Sequence, residues 1–209
     1  MARHPPRRKP SQQRAKASVD AIVEACAQVL VRDGWEAVTT QTLADRAGVS
    51  VGTLYQYFAD RDAVLAALRE RIMAEQLAAV ASVMSEVRET RPGFEAALDR
   101  LMDTVFAVVS VRPELMRRLL LESPPDALEA IDAVWKERAN QLVRGVLYAG
   151  AARIRPGNVD VMATLLVSAV FGAVRDVVAH RPDLLLTPDF RSELTELVRR
   201  YLGPDAPPP

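Results

Sequence analysis

The sequence predicts an all-α protein of about nine helices, three short ones at the N-terminal end and a longer set after them. Three observations predict it. Apolar residues recur at three- and four-residue spacing along most of the chain, with no strand-like alternation and no internal repeat. Glycine and proline fall between those stretches, at Gly34, Gly48, Pro92-Gly93, Pro113, Pro124-Pro125, Pro156-Gly157 and Pro182. Residues 40–61 hold two helical faces joined by a turn of a few residues, so these helices must cross steeply.

The elements follow in order. Residues 1–15 hold Arg3, Arg7, Arg8, Lys9 and Arg14 with three prolines and no acid. Such a stretch cannot build a core and is expected to be disordered. It reads either as a solubilising tail or as an arm that adds phosphate or minor-groove contacts. The first helix spans 16–33, with Val19, Ile22, Val23, Cys26, Ala27 and Leu30 on one face. Cys26 on that face reads as a buried packing thiol. Gly34 ends the helix, and Trp35 and Val38 cover the small core.

Thr40 is the expected N-cap of the second helix. Leu43, Ala44 and Ala47 give that helix its inner face. Gly48 stands where a chain leaving a helix needs positive φ. Ser50 caps the third helix, whose buried side is Leu54 with Tyr57 or Phe58. Its other side carries Ser50, Val51, Gly52, Thr53 and Gln56, small or hydrogen-bonding residues without charge. Such residues can sit close to base edges.

The fourth helix opens at Asp60 and runs to about residue 89, with a stripe through Leu65, Leu68, Ile72, Leu77, Val80 and Met84. At about 1.5 Å per residue it spans some 40 Å and belongs to both head and body. Five helices follow, over 94–110, from Pro113, over 126–149, 158–179 and 188–202. The end, 203–209, is proline-rich and expected to fray. Residues 161–174, VMATLLVSAVFGAV, are fourteen in a row without a charge. That is too short for a bilayer span, and a helix apolar on all sides must be covered on all sides. It is either central within one monomer or shared with a partner helix.

Length and composition bound the function. The 209 residues allow one large or two small domains. Hydrophobic residues are 49% and charged residues 26%, an ordinary globular balance. One cysteine excludes an internal disulfide framework and suits a reducing cytosol. No secretory signal or membrane span is expected. The net charge is zero, but residues 1–61 carry +3 and residues 62–209 carry −3. A basic head on an acidic body suits a DNA-facing end. Enzyme readings fail on content. The two histidines, His4 and His180, cannot form a zinc cluster, and GVSVG at 48–52 lacks the Lys-Ser/Thr of a phosphate loop. No metal or cofactor is expected.

The run Gly34-Trp35, Thr39-Thr40, Leu43-Ala44, Ala47-Gly48-Val49-Ser50, Gly52–Phe58 and Arg61 resembles the DNA-binding domain of the TetR (tetracycline-repressor-like) family of bacterial regulators. The resemblance covers roughly 16–70. It departs from the family in having Arg61 where Lys is usual and Tyr57 where His is usual. It implies a basic arm (1–15), a helix-turn-helix DNA-binding domain (16–61), a helical ligand-binding and dimerisation domain (62–202) and a tail (203–209). Thr40, Tyr55, Tyr57 and Arg61 would grip phosphates. Gln41, Val51, Gly52, Thr53 and Gln56 would lie at base edges on the helix that Ser50 opens.

The family also implies a two-fold dimer through the last two long helices, with Ala169, Gly172, Ala173, Leu194, Leu197, Val198 and Tyr201 at the contact. The function implied is a cytoplasmic repressor that binds a pseudo-palindromic operator and is released by a small, mostly apolar ligand. Met102, Phe106, Met116, Leu120, Trp135, Met162, Leu166 and Phe171 are candidate ligand contacts, though each is equally an ordinary core residue. Arg175 is the candidate polar contact, or else pairs with Asp176 or an acid on another helix. The rival reading is a sequence-tolerant architectural DNA-binding protein that needs no ligand.

Overall fold

The structure, a computed structural model, describes residues 10–150 and 154–203, without the side chains of 10, 11, 130 and 131. The described residues form ten α-helices and one 3-10 turn. The helices are α1 (Pro10–Asp33), α2 (Thr40–Ala47), α3 (Val51–Tyr55), α4 (Arg61–Thr90) and α5 (Phe94–Ser110). They continue as α6 (Pro113–Glu122), α7 (Pro125–Ala149), α8 (Val159–His180), α9 (Pro182–Leu185) and α10 (Pro188–Leu202). No strand occurs among the described residues. The chain divides into two compact units, and the division at Arg71 and Ile72 falls inside α4.

Two boundaries differ from expectation. α1 begins at Pro10, so residues 10–15 are helical rather than disordered. Proline is tolerated in a first turn, and Gln12, Gln13, Arg14, Ala15 and Lys16 all favour helix, which outweighs the lack of apolar content there. Residues 1–9 of the expected arm lie outside the described residues, as do 204–209 of the expected tail and the Ile131 side chain. The expected break at Arg181-Pro182 instead starts the short α9, because Pro182 sits in its first turn.

The N-terminal unit closes around Ile22, Cys26, Leu30, Val38, Leu43, Leu54, Leu65 and Leu68, all at most 1% exposed. Full burial of each such leucine or isoleucine stabilises by about 1.5–3 kcal/mol. Glu24 on α1 meets Arg71 on α4 at 2.8 Å, and the Arg69 guanidinium lies 5.9 Å from the centre of the Trp35 ring. Burial pushes the Cys26 thiol up to about 12, against the opposing fields of Arg69 and Arg71. It is therefore a neutral packing group.

The second unit packs α5, α8 and α10 around Leu98, Met102, Phe106, Met162, Leu166, Leu194 and Val198. Arg199 of α10 reaches Glu95 at 2.6 Å and Asp99 at 3.2 Å on α5. α8 also packs along α6, α7 and α9. By length and composition alone α8 is apolar enough to cross a membrane. It nevertheless carries Asp160, Arg175 and Asp176, and buries Met162, Ala163, Leu166, Val167, Val174, Val177 and Val178 in its own unit.

Candidate nucleic-acid interface

The turn between α2 and α3 is set by local chemistry. Thr39, not Thr40, is the N-cap of α2; its hydroxyl accepts from the Thr42 amide at 3.1 Å. Thr39 has the extended backbone a cap requires, while Thr40 is already helical. Both are threonines, so the residue type alone could not separate them. Gly48 takes φ 69° and its amide reaches the Ala44 and Asp45 carbonyls, which ends α2. Ser50 then accepts from the Thr53 amide at 3.0 Å and opens α3. Leu54 and Phe58 are buried, which leaves Tyr57 outward.

Residues 47–59 contain no charged side chain. Ser50, Gly52, Tyr55, Gln56 and Tyr57 are exposed; Val51 and Thr53 are half-buried. The Thr53 hydroxyl is engaged with Ser50 Oγ at 2.8 Å, so Thr53 offers its methyl and only part of its hydroxyl's hydrogen-bonding capacity. Gly52 does not owe its identity to the fold. Its φ is not positive, and an added Cβ would come no nearer than 3.8 Å to another group, Ser50 Oγ.

Three polar groups converge at the N-terminal end of α2. Thr40 Oγ1 lies 3.3 Å from Tyr55 Oη, which links α2 to α3. Arg61 Nη1 donates to the Val38 carbonyl at 3.4 Å, two residues before Thr40. Arg61 also stands 3.6 Å from Asp62, an exposed pair of little strength. Hydroxyls, a guanidinium and the free amides of a helix start suit a phosphate group. Gln41 is turned away, its amide donating to Asp45 at 3.0 and 3.2 Å, and must leave that carboxylate to reach a base.

In the second unit the predicted ligand contacts fall into two groups. Met102, Phe106, Met162 and Leu166 are buried together in the core, with Met116 and Leu120 packed against it. Trp135 of α7 stacks on Phe171 of α8, with centroids 4.5 Å apart. Arg175 pairs with Asp132 on α7, not with Asp176. Asp176 lies 3.1 Å from His180 instead, at helical spacing. Of the predicted dimer residues, Ala169, Gly172 and Leu197 are exposed, and Ala173 and Tyr201 half-buried. Leu194 and Val198 are 6% and 5% exposed in the unit's own core, so they cannot present to a partner. Sequence reasoning passed over Val161 and Leu165, which are 53% and 51% exposed. With Ala169 and Gly172 they form one open stripe, legible as spacings of four, four and three.

Residues 22–68 match the family described as "Bacterial regulatory proteins, tetR family", and residues 94–202 match "Tetracyclin repressor-like, C-terminal domain". The chain belongs to the TetR family. That family is one of bacterial regulatory proteins. An HTH-type transcriptional regulator of Mycobacterium tuberculosis is 30% identical over 106 residues, and one from Mycobacterium bovis matches equally. The match takes in 50% of this chain and spans about half, 54%, of those curated relatives.

Solved structures of other TetR-family regulators share the fold. The Mesorhizobium loti protein has a TM-score of 0.71 at 16% identity, covering 91% of this chain and 98% of that one. SmeT, the repressor of a Stenotrophomonas maltophilia multidrug efflux pump, has a TM-score of 0.70 at 17% identity, covering 92% and 93%. In its complex with triclosan SmeT gives the same score and identity, covering 92% and 98%. The Thr40–Tyr55–Arg61 cluster and the uncharged α3 face lie in the N-terminal match, and Trp135, Phe171 and the α8 stripe lie in the C-terminal match.

Proposed function

We propose that this TetR-family regulator is a cytoplasmic homodimeric repressor whose α3 reads an operator in the major groove and whose C-terminal domain binds a small effector. The uncharged, exposed α3 surface beside the Thr40–Tyr55–Arg61 cluster carries the reading. A groove reader needs small or hydrogen-bonding side chains toward the bases and a cationic or hydroxyl rim toward the phosphates. Val51, Gly52, Thr53 and Gln56 supply the first; Thr40, Tyr55, Tyr57 and Arg61 supply the second. The open stripe Val161, Leu165, Ala169 and Gly172 supports a two-fold pairing through α8, because four exposed small and aliphatic residues on one helix favour burial. Leu197 of α10, 52% exposed, would extend it.

A two-fold dimer presents two α3 helices, so its site is a pseudo-palindrome with fixed half-site spacing. Occupation of a promoter-overlapping site represses. An effector in the C-terminal domain releases DNA only by binding one spacing better than the other, and α4 runs from one unit into the next. That SmeT is a repressor and has been solved with triclosan supports a ligand-released repressor here. Selection of bound DNA from a random pool tests the reading. A two-fold symmetric consensus is expected. Recovery of DNA with no enriched sequence would favour an architectural protein and overturn it.

A further inference from the structure

Trp135 Nε1 is covered from solvent and has no acceptor among the described residues. Native folds leave few covered N–H groups without a partner, and each that remains calls for a physical explanation. This one sits beside Phe171, on which the indole is stacked at 4.5 Å and 25°. Lys136 Nζ lies 5.3 Å from the centre of the same phenyl ring. Arg175, one turn beyond Phe171, pairs with Asp132, which precedes Trp135 by three residues. Two cations and one carboxylate therefore border an aromatic pair that holds an unused hydrogen-bond donor. A flat ligand with one negative charge and an acceptor oxygen completes this set. A neutral acceptor satisfies the N–H but leaves the excess positive charge; a hydrocarbon satisfies neither.

We propose that the Trp135–Phe171 seam between α7 and α8 binds a small aromatic carboxylate, its ring against the aromatic pair and its carboxylate accepting the Trp135 Nε1 hydrogen bond. This rests on the reading of the C-terminal domain as the effector domain. The donor is covered in the free chain, so binding moves the indole and changes its emission. The carboxylate gives the covered N–H a charge-assisted acceptor that the free chain does not supply and gains from Lys136.

The test titrates the full chain with 1-naphthoate and with the neutral 1-naphthamide, followed by tryptophan emission and calorimetry. Naphthoate is expected to bind about ten-fold more tightly than the amide, the size of one charge-assisted bond. Trp135→Phe keeps a stacking ring and deletes the N–H. It should weaken naphthoate about ten-fold, abolish the emission change, and leave the melting temperature of the free chain unchanged or higher. Lys136→Met should narrow the preference for acid over amide. Equal affinity for acid and amide, no binding of naphthoate, or full-strength binding to Trp135→Phe would each overturn the proposal. Operator binding is measured in parallel. Naphthoate bound at Trp135 without operator release would sink the ligand-released reading alone. Release by a compound of another class, with naphthoate unbound, would sink this proposal alone.

Discussion

Gly52→Ala is expected to stabilise the N-terminal unit and at the same time weaken operator binding. Gly52 occupies the second position of α3, is exposed, and has ordinary helical backbone. A methyl group there meets only Ser50 Oγ at 3.8 Å, ordinary van der Waals contact. Glycine in a helix costs roughly 0.5–1 kcal/mol relative to alanine through backbone entropy. In a first turn the lower figure applies, so the gain is about 0.5 kcal/mol. For a unit of this size that is a rise of about 2–4 °C in its melting temperature. The same methyl projects from the face proposed to meet DNA. Loss of one close fit costs about 1–3 kcal/mol per half-site, or roughly 5- to 150-fold in affinity. Differential scanning calorimetry and anisotropy titration of labelled operator on one preparation read both signs. A variant that is more stable and binds operator as well as the parent would refute the assignment of this face. A variant that is less stable would refute the claim that the fold leaves room for the methyl.

Thr39→Ala should cost about 1 kcal/mol of head stability by loss of the cap, whereas Thr40→Ala should leave melting nearly unchanged and weaken DNA binding; chemical denaturation beside operator titration separates them. Arg61→Ala should weaken binding to specific and random DNA alike and lower the salt slope by about one unit; a slope unchanged over a salt series removes Arg61 from the phosphate contacts. Leu165→Glu should give a folded monomer in sedimentation, because the side chain is already half exposed in the monomer and would be buried only at the dimer contact; a persistent dimer would place the contact elsewhere. The Cys26 thiol, held near 12 by burial, should resist alkylation in the native state at pH 8 and react only on unfolding. Its raised folded value contributes stability present below its ordinary value of 9.0 and lost as pH rises toward about 12, so stability should decline above about pH 9; denaturant midpoints over pH 7–11 measure it.

Local chemistry was legible from residue order because it acts over a few neighbours. The αL glycine at Gly48, the Ser50 cap, the buried Leu54 and the proline-bounded helices of the C-terminal domain are each decided within about one turn. The all-α class, the helix-turn-helix and the family followed from those signals. What needed tertiary structure was every choice between chemically similar candidates. Thr39 and Thr40 are the same residue; only backbone angles made the first the cap. Leu194 and Leu197 are one residue type on one helix, yet the core takes the first and leaves the second 52% exposed, because α5 packs on one face of α10. Arg175 had Asp176 beside it in sequence and pairs with Asp132 on another helix, since adjacent positions on a helix do not face each other. Periodicity says that a face is apolar. Which apolar face finds its cover inside the chain, and which is left exposed, depends on all the other helices at once.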